Sequence, residues 1–159
     1  MIVGLAARNI TPDLIVMADT WAERPHTYAH IELMQEYLRM IDFPKITIVK
    51  KVDKNGDVLT LEDDLLKQKA LPSVAYGFKT CSQKYKTQPV DKFLNNHPDA
   101  IAAWKRGEKI TKLIGFDADE AHRAKDYDDA KYKVEFPLIE WGWGRDECIS
   151  EIKKEGLPL

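Results

Sequence analysis

Leu14-Ile15-Val16-Met17-Ala18-Asp19-Thr20 is an unbroken apolar run that ends in an aspartate and a threonine. Such a run suits a strand covered on both faces, as in a parallel sheet packed under helices, rather than a strand with one wet face. Upstream, Val3-Gly4-Leu5-Ala6-Ala7-Arg8 reads as the end of a helix stopped at Asn9, a residue that tolerates the left-handed conformation. Downstream, Pro25-His26-Thr27 opens a helix whose apolar residues Tyr28, Ile31, Leu33, Met34, Tyr37, Leu38 and Ile41 recur largely at three- and four-residue spacing. Phe43-Pro44 breaks it, and Lys45–Lys50 is a β-branched strand. Asp53-Lys54-Asn55-Gly56-Asp57 is a turn by its chemistry. It lacks the spaced ligands and terminal glutamate of a calcium loop, so no metal is expected there.

The pattern continues through the second half. Thr60 has cap chemistry and opens a short helix through about Lys69, and a helix is expected from Cys81 to Leu94, interrupted or restarted at Pro89. Ala100–Arg106 reads as helix, Thr111–Asp117 as a short buried strand, and Lys133–Leu138 as a strand whose Pro137 marks its end or a sheet edge. Glu147–Glu155 is a last helix, closed by Gly156 and Pro158. Strand–helix alternation with no internal repeat and no low-complexity linker predicts one α/β domain over 1–159, with a parallel, helix-covered sheet.

Composition narrows the function classes. The chain has 159 residues, with 44% hydrophobic and 31% charged residues and a formal net charge of −2, the balance of a globular domain. No global basic excess points to nucleic acid or an anionic membrane, and no apolar run reaches the ~20 residues that span a bilayer. Only Cys81 and Cys148 are present, in no CxxC pair, which excludes a disulfide framework or a four-cysteine metal site built from this chain. With no signal-peptide pattern at the start, the expected compartment is the cytoplasm.

In open parallel sheets, ligands sit beyond the carboxyl ends of the strands. The polar residues Asp19-Thr20 and Asp117–Arg123 fall at two such ends. Four segments then resemble, in order, the phosphoadenosine phosphosulfate reductase family. Asp19-Thr20-Trp21-Ala22-Glu23-Arg24-Pro25-His26-Thr27-Tyr28 is similar to its DTG-x-E-x-P-x-T-Y turn, and Cys81–Pro89 to its Cys-x-x-x-x-Lys-x-x-Pro helix. Gly115–Arg123 resembles its G-x-R-A-D-E-S-x-R segment. Pro137-Leu138-Ile139-Glu140-Trp141, with Asp146 and Gly156-Leu157-Pro158, resembles its PL-x-x-W…D-V…GLP tail. The wording is nearest to reductase-like proteins carried by phages and mobile elements.

The resemblance implies an adenine nucleotide α-hydrolase-like fold, a five-stranded parallel sheet that binds an adenine nucleotide or a phosphosulfate. It casts Lys86, with Lys84 beside it, as the phosphate or sulfate cations, and Arg123 as a guanidinium fork for the same group. Asp19 and Thr20 become nucleotide contacts, and Asp119, Glu120 and Trp141 pocket residues. Each has a plainer alternative: solvated lysines, an Arg123 ion pair with Asp119 or Glu120, an Asp19-Thr20 helix cap, a core Trp141. His122 and Cys81 are weaker candidates for acid–base and thiol roles.

The sequence also departs from the family. Its Ser-Gly-Gly-x-Asp-Ser phosphate loop, with the first strand, would precede Val3 and is not in this sequence. The motif arginine is Asp117, which repels phosphate, and the family's later cysteines have no counterpart. The expectations are therefore a nucleotide-binding domain, with little or no reductase activity if the sequence is complete as it stands, no resident cofactor, and a homo-oligomer, a partner chain or a longer natural sequence covering an incomplete sheet. The alternative is a catalytically reduced, protein-binding or host-modulating factor of a phage or mobile element. A nucleic-acid role would have to rest on Lys79, Lys84, Lys86 and Lys92.

Overall fold

The computed structural model describes residues 1–69, 82–125 and 128–159. The described elements begin with α1 (Ile2–Ala6), β1 (Ile15–Asp19), α2 (Pro25–Met40), β2 (Ile46–Lys50) and α3 (Leu61–Gln68). A π-helical turn (Gln83–Thr87), α4 (Gln88–Asn95), α5 (Pro98–Lys105) and β3 (Ile110–Leu113) follow. The chain then forms a 3-10 turn (Ala118–Arg123), β4 (Tyr132–Glu135), α6 (Pro137–Glu140) and α7 (Arg145–Lys154). The class is mixed α/β with short parallel sheets. Among the described residues, β1 pairs with β2 and β3 with β4, both parallel. The chain divides into two compact units, Pro12–His97 and Met1–Thr11 with Pro98–Leu159.

In the 12–97 unit the parallel register runs from Ile15 opposite Ile46 to Asp19 opposite Lys50. Helix α2 starts where the sequence places it, with Pro25 at its first position, where a missing N–H costs nothing. It is locked to β2 by Gln35, whose Nε2 donates to the Ile46 carbonyl at 3.1 Å while its Oε1 accepts from the Ile46 N–H at 3.0 Å. Tyr37 and Leu38 bury the face of α2 that closes the core. The Asp53–Asp57 turn is spanned by an antiparallel bridge between Val52 and Val58, with Gly56 at φ +92°. Asp53 Oδ1 accepts from the N–H groups of Asn55 and Asp57 at 2.8 and 3.0 Å, so this carboxylate oxygen is engaged by the turn's own backbone. Thr60 caps α3 by accepting from the Asp63 N–H at 3.0 Å. Of the interruption or restart expected at Pro89, the restart is what forms: a π-helical turn precedes α4, and Pro89 is the second residue of α4. Buried Tyr85, Pro89 and Leu94 lie on this segment, which packs on β1 and β2.

In the other unit, α5 packs on β3, and α1 on α7. Two readings shift. The strand expected over Thr111–Asp117 ends at Leu113, because Asp117 turns the chain by capping the 3-10 turn, its Oδ1 accepting from the Glu120 N–H at 3.1 Å. The strand expected over Lys133–Leu138 stops at Glu135, because Pro137 cannot donate to a ladder and instead opens α6. Buried Gly4 in α1 lies against Trp141 and Trp143, which meet edge to face at 5.3 Å, and the Arg8 guanidinium sits 4.0 Å from the Trp141 ring centre. No helix among the described residues is long and apolar enough to cross a membrane.

Candidate functional site

The carboxyl ends of β1 and β2 gather a polar cluster inside the 12–97 unit, and parallel pairing is the reason. Parallel strands end at the same edge, so the in-register pair Asp19 and Lys50 is delivered side by side. Asp19 and Thr20 are the buried polar residues there, at 7% and 6% exposure. Asp19 Oδ1 accepts two hydrogen bonds, from the Trp21 N–H at 2.8 Å and the Tyr28 hydroxyl at 2.9 Å, and Lys50 Nζ stands 3.9 Å from Oδ2. Buried charge is tolerated only with such partners. Burial first, and then the hydrogen bond to the Asp19 carboxylate, push the Tyr28 hydroxyl above its ordinary pKa.

Thr20 extends the cluster. Its hydroxyl donates to Glu23 Oε1 at 3.3 Å and accepts from the Ala22 N–H at 3.3 Å, while its carbonyl accepts from the Leu61 N–H. Glu23 in turn pairs with Lys86 Nζ at 3.2 Å, so the π-helical turn brings its lysine to the strand edge. Beside it, Lys51 lies 3.6 Å from Asp64 and 4.2 Å from the Tyr85 ring centre, and the Tyr85 hydroxyl donates to Asp64. That hydroxyl is the leading cause that holds Asp64 below the ordinary carboxylate range, with Lys51 and then Lys84 adding to it. The site is thus a row of lysines, each facing a carboxylate, over two strand ends.

Of the residues expected from sequence, Thr20 and Lys86 both contact Glu23, Asp19 is the residue before Thr20, and Lys84 lies exposed on the same π-helical turn as Lys86. Asp119, Glu120, Arg123 and Trp141 belong to the other unit, where their contacts are structural ones. Arg123 pairs with Glu120 and its guanidinium lies 4.3 Å from the Phe116 ring centre, the ion-pair alternative to a phosphate fork. Asp119 Oδ2 accepts from the Arg145 N–H at 2.9 Å at the start of α7. Trp141, half-buried, lies against Gly4 of α1. Asp117, expected to repel phosphate, is a cap, and His122 is exposed on the same turn. Cys81 and Lys79 lie outside the described residues. Burial pushes the half-buried Cys148 thiol above its ordinary pKa, a poor state for a nucleophile.

Lys50, Lys51, Glu23, Tyr28, Asp64 and Tyr85 escaped the sequence reading as site residues. Lys50 carried a usable signal: it ends a predicted strand, and a parallel partner would set it beside Asp19. Asp64 and Tyr85 are 21 positions apart and had none. Compared with protein-family models, with curated proteins and with solved structures, the chain matches none.

Proposed function

We propose that this chain binds an adenine nucleotide or phosphosulfate, as its resemblance to the phosphoadenosine phosphosulfate reductase family implies, with the anionic end at the carboxyl ends of β1 and β2. One observation carries the reading: Asp19, Thr20, Lys50 and Lys86, from two strands and a distant helical turn, converge where parallel sheets hold ligands. Lys86 is 55% exposed along its side chain and Lys50 34%, so both ammonium groups are accessible to an incoming phosphate or sulfate, which competes with Glu23 and Asp19 for them. Thr20 and the Tyr28 hydroxyl hold the two carboxylates in place and would keep them there as the anion takes over the lysines.

A reaction at a phosphosulfate or adenylated substrate is the wider proposal. Its sulfur chemistry would need a thiolate, which Cys148 in its raised-pKa setting does not favour. The direct test is calorimetric titration with adenosine 3′,5′-bisphosphate. Micromolar binding that weakens about tenfold in Lys86→Ala is expected, the worth of one charge-assisted contact. Absence of heat at millimolar ligand, or an unchanged affinity in the variant, refutes the assignment. A second reading, a protein-binding relative, is favoured by Leu33 and Met40, 48% and 75% exposed and one heptad apart on α2. It predicts a stable oligomer or complex in sedimentation experiments and no nucleotide binding.

A further inference from the structure

Trp21 follows the buried pair Asp19-Thr20 and is out of keeping with its surroundings in two ways. Its φ is +59°, a conformation that a bulky side chain rarely adopts, and it is 51% exposed. Neither feature serves the core. The left-handed backbone is imposed from below, because the Trp21 N–H donates to buried Asp19 at 2.8 Å. The result is an indole lifted out of the fold at the carboxyl end of β1. Its orientation is held by a second contact: Lys50 Nζ, itself 3.9 Å from Asp19, lies 4.0 Å from the centre of the ring. A strained, exposed aromatic anchored through a buried carboxylate and a lysine is what a stacking surface requires, since the ring is positioned before any ligand arrives.

We infer that Trp21 is the platform on which the ligand's aromatic base stacks, next to the lysines that take its anionic end. This rests on the nucleotide reading above and makes it more specific: the ligand must carry a planar base, and a base-free sugar phosphate is discriminated against. The ammonium on one side of the indole and an aromatic base on its open side are compatible, because both use the π-face. Thr20, the residue before Trp21, bonds to Glu23, and Glu23 pairs with Lys86, so Lys86 gives the anion a foothold apart from the indole while Lys50 lies between the two.

The test compares the full chain with Trp21→Gly, which accepts a positive φ without strain, and Trp21→Asn, a side chain tolerant of it. Both are titrated by calorimetry with adenosine 3′,5′-bisphosphate and with ribose 5-phosphate. The expected result is a loss of about fivefold or more for the adenosine ligand in both variants, the lower end of base–aromatic stacking, with ribose 5-phosphate affinity unchanged. Trp21→Phe should recover most of the loss. Unchanged adenosine bisphosphate binding in the variants overturns the platform while leaving the nucleotide reading intact. So does an equal loss for both ligands, which would give the indole a role in holding Lys50 only. A wild-type chain that binds no adenosine bisphosphate overturns both.

Discussion

Replacing Asp19 with alanine should remove the keystone of the 12–97 unit's strand edge, and the structure sets the size of the effect. Asp19 is 7% exposed, and its Oδ1 accepts from the Trp21 N–H at 2.8 Å and the Tyr28 hydroxyl at 2.9 Å. Hydrogen bonds to a charged acceptor contribute about 1.5–3 kcal/mol each, and the donors left behind are only partly able to reach water. The Lys50 contact at 3.9 Å adds little, since that ammonium is a third exposed and screened. The sum for Asp19→Ala is about 3–6 kcal/mol, and Asp19→Asn, which keeps an acceptor oxygen but not the charge, should cost about half of that. Urea unfolding followed by far-UV circular dichroism measures both. The pairwise term comes from a cycle with Tyr28→Phe, in which coupling of about 1 kcal/mol or more is expected. A cost under about 1 kcal/mol for Asp19→Ala would refute the argument, because it would mean that the buried carboxylate is not what organises Trp21, Tyr28 and the strand end.

Gly4→Ala should destabilise the unit that contains α1, because a Cβ there would lie 2.3 Å from Trp141 and 2.9 Å from Trp143 ring carbons. The overpacking cost is about 1–3 kcal/mol, visible as a lower thermal midpoint together with altered tryptophan emission. Asp64→Asn tests the pH linkage. The Asp64 carboxyl is held below its ordinary value of 3.8, so its stabilisation is complete above that value and is lost as pH falls through the lower folded-state pKa. The wild type should accordingly be more stable than the variant at neutral pH, and the gap should narrow below about pH 4 in pH-dependent unfolding.

Much of the local structure was legible, and each success has a local cause. Pro25 at the start of α2, Thr60 at the cap of α3, Asn9 at φ +55° after α1 and Gly156 at φ +70° after α7 are all fixed by the chemistry of one or two residues. The apolar run into Asp19 and the β-branched run into Lys50 announced their strands because each pattern is internal to its segment. The misses had the opposite character. Pro137 was read as the end of a strand when it is the start of a helix, because both uses follow from the missing N–H and only the neighbouring backbone decides between them.

The candidate site divides along the same line. Asp19, Thr20 and Lys86 were named from sequence, and in the 12–97 unit Thr20 and Lys86 both meet Glu23 at the strand edge that Asp19 closes. Arg123, Glu120 and Asp119 were named on the same grounds, but their contacts are an ion pair and a helix-start hydrogen bond within the other unit. A motif position specifies a residue type; it does not specify which neighbour claims the charge.

By itself the sequence determined an α/β chain with short strands, the ends of most helices, and a cluster of polar residues after the first strand. Only the tertiary structure decided that Lys50 stands beside Asp19, that Glu23 holds Lys86, that Tyr85 depresses Asp64, and that Trp21 is raised into the left-handed region with its ring exposed. The physical reason is range. Caps, turns and hydrophobic periodicity are set by residues within about four positions of each other, whereas hydrogen bonds and ion pairs between strand ends depend on a register that exists only once the chain has paired.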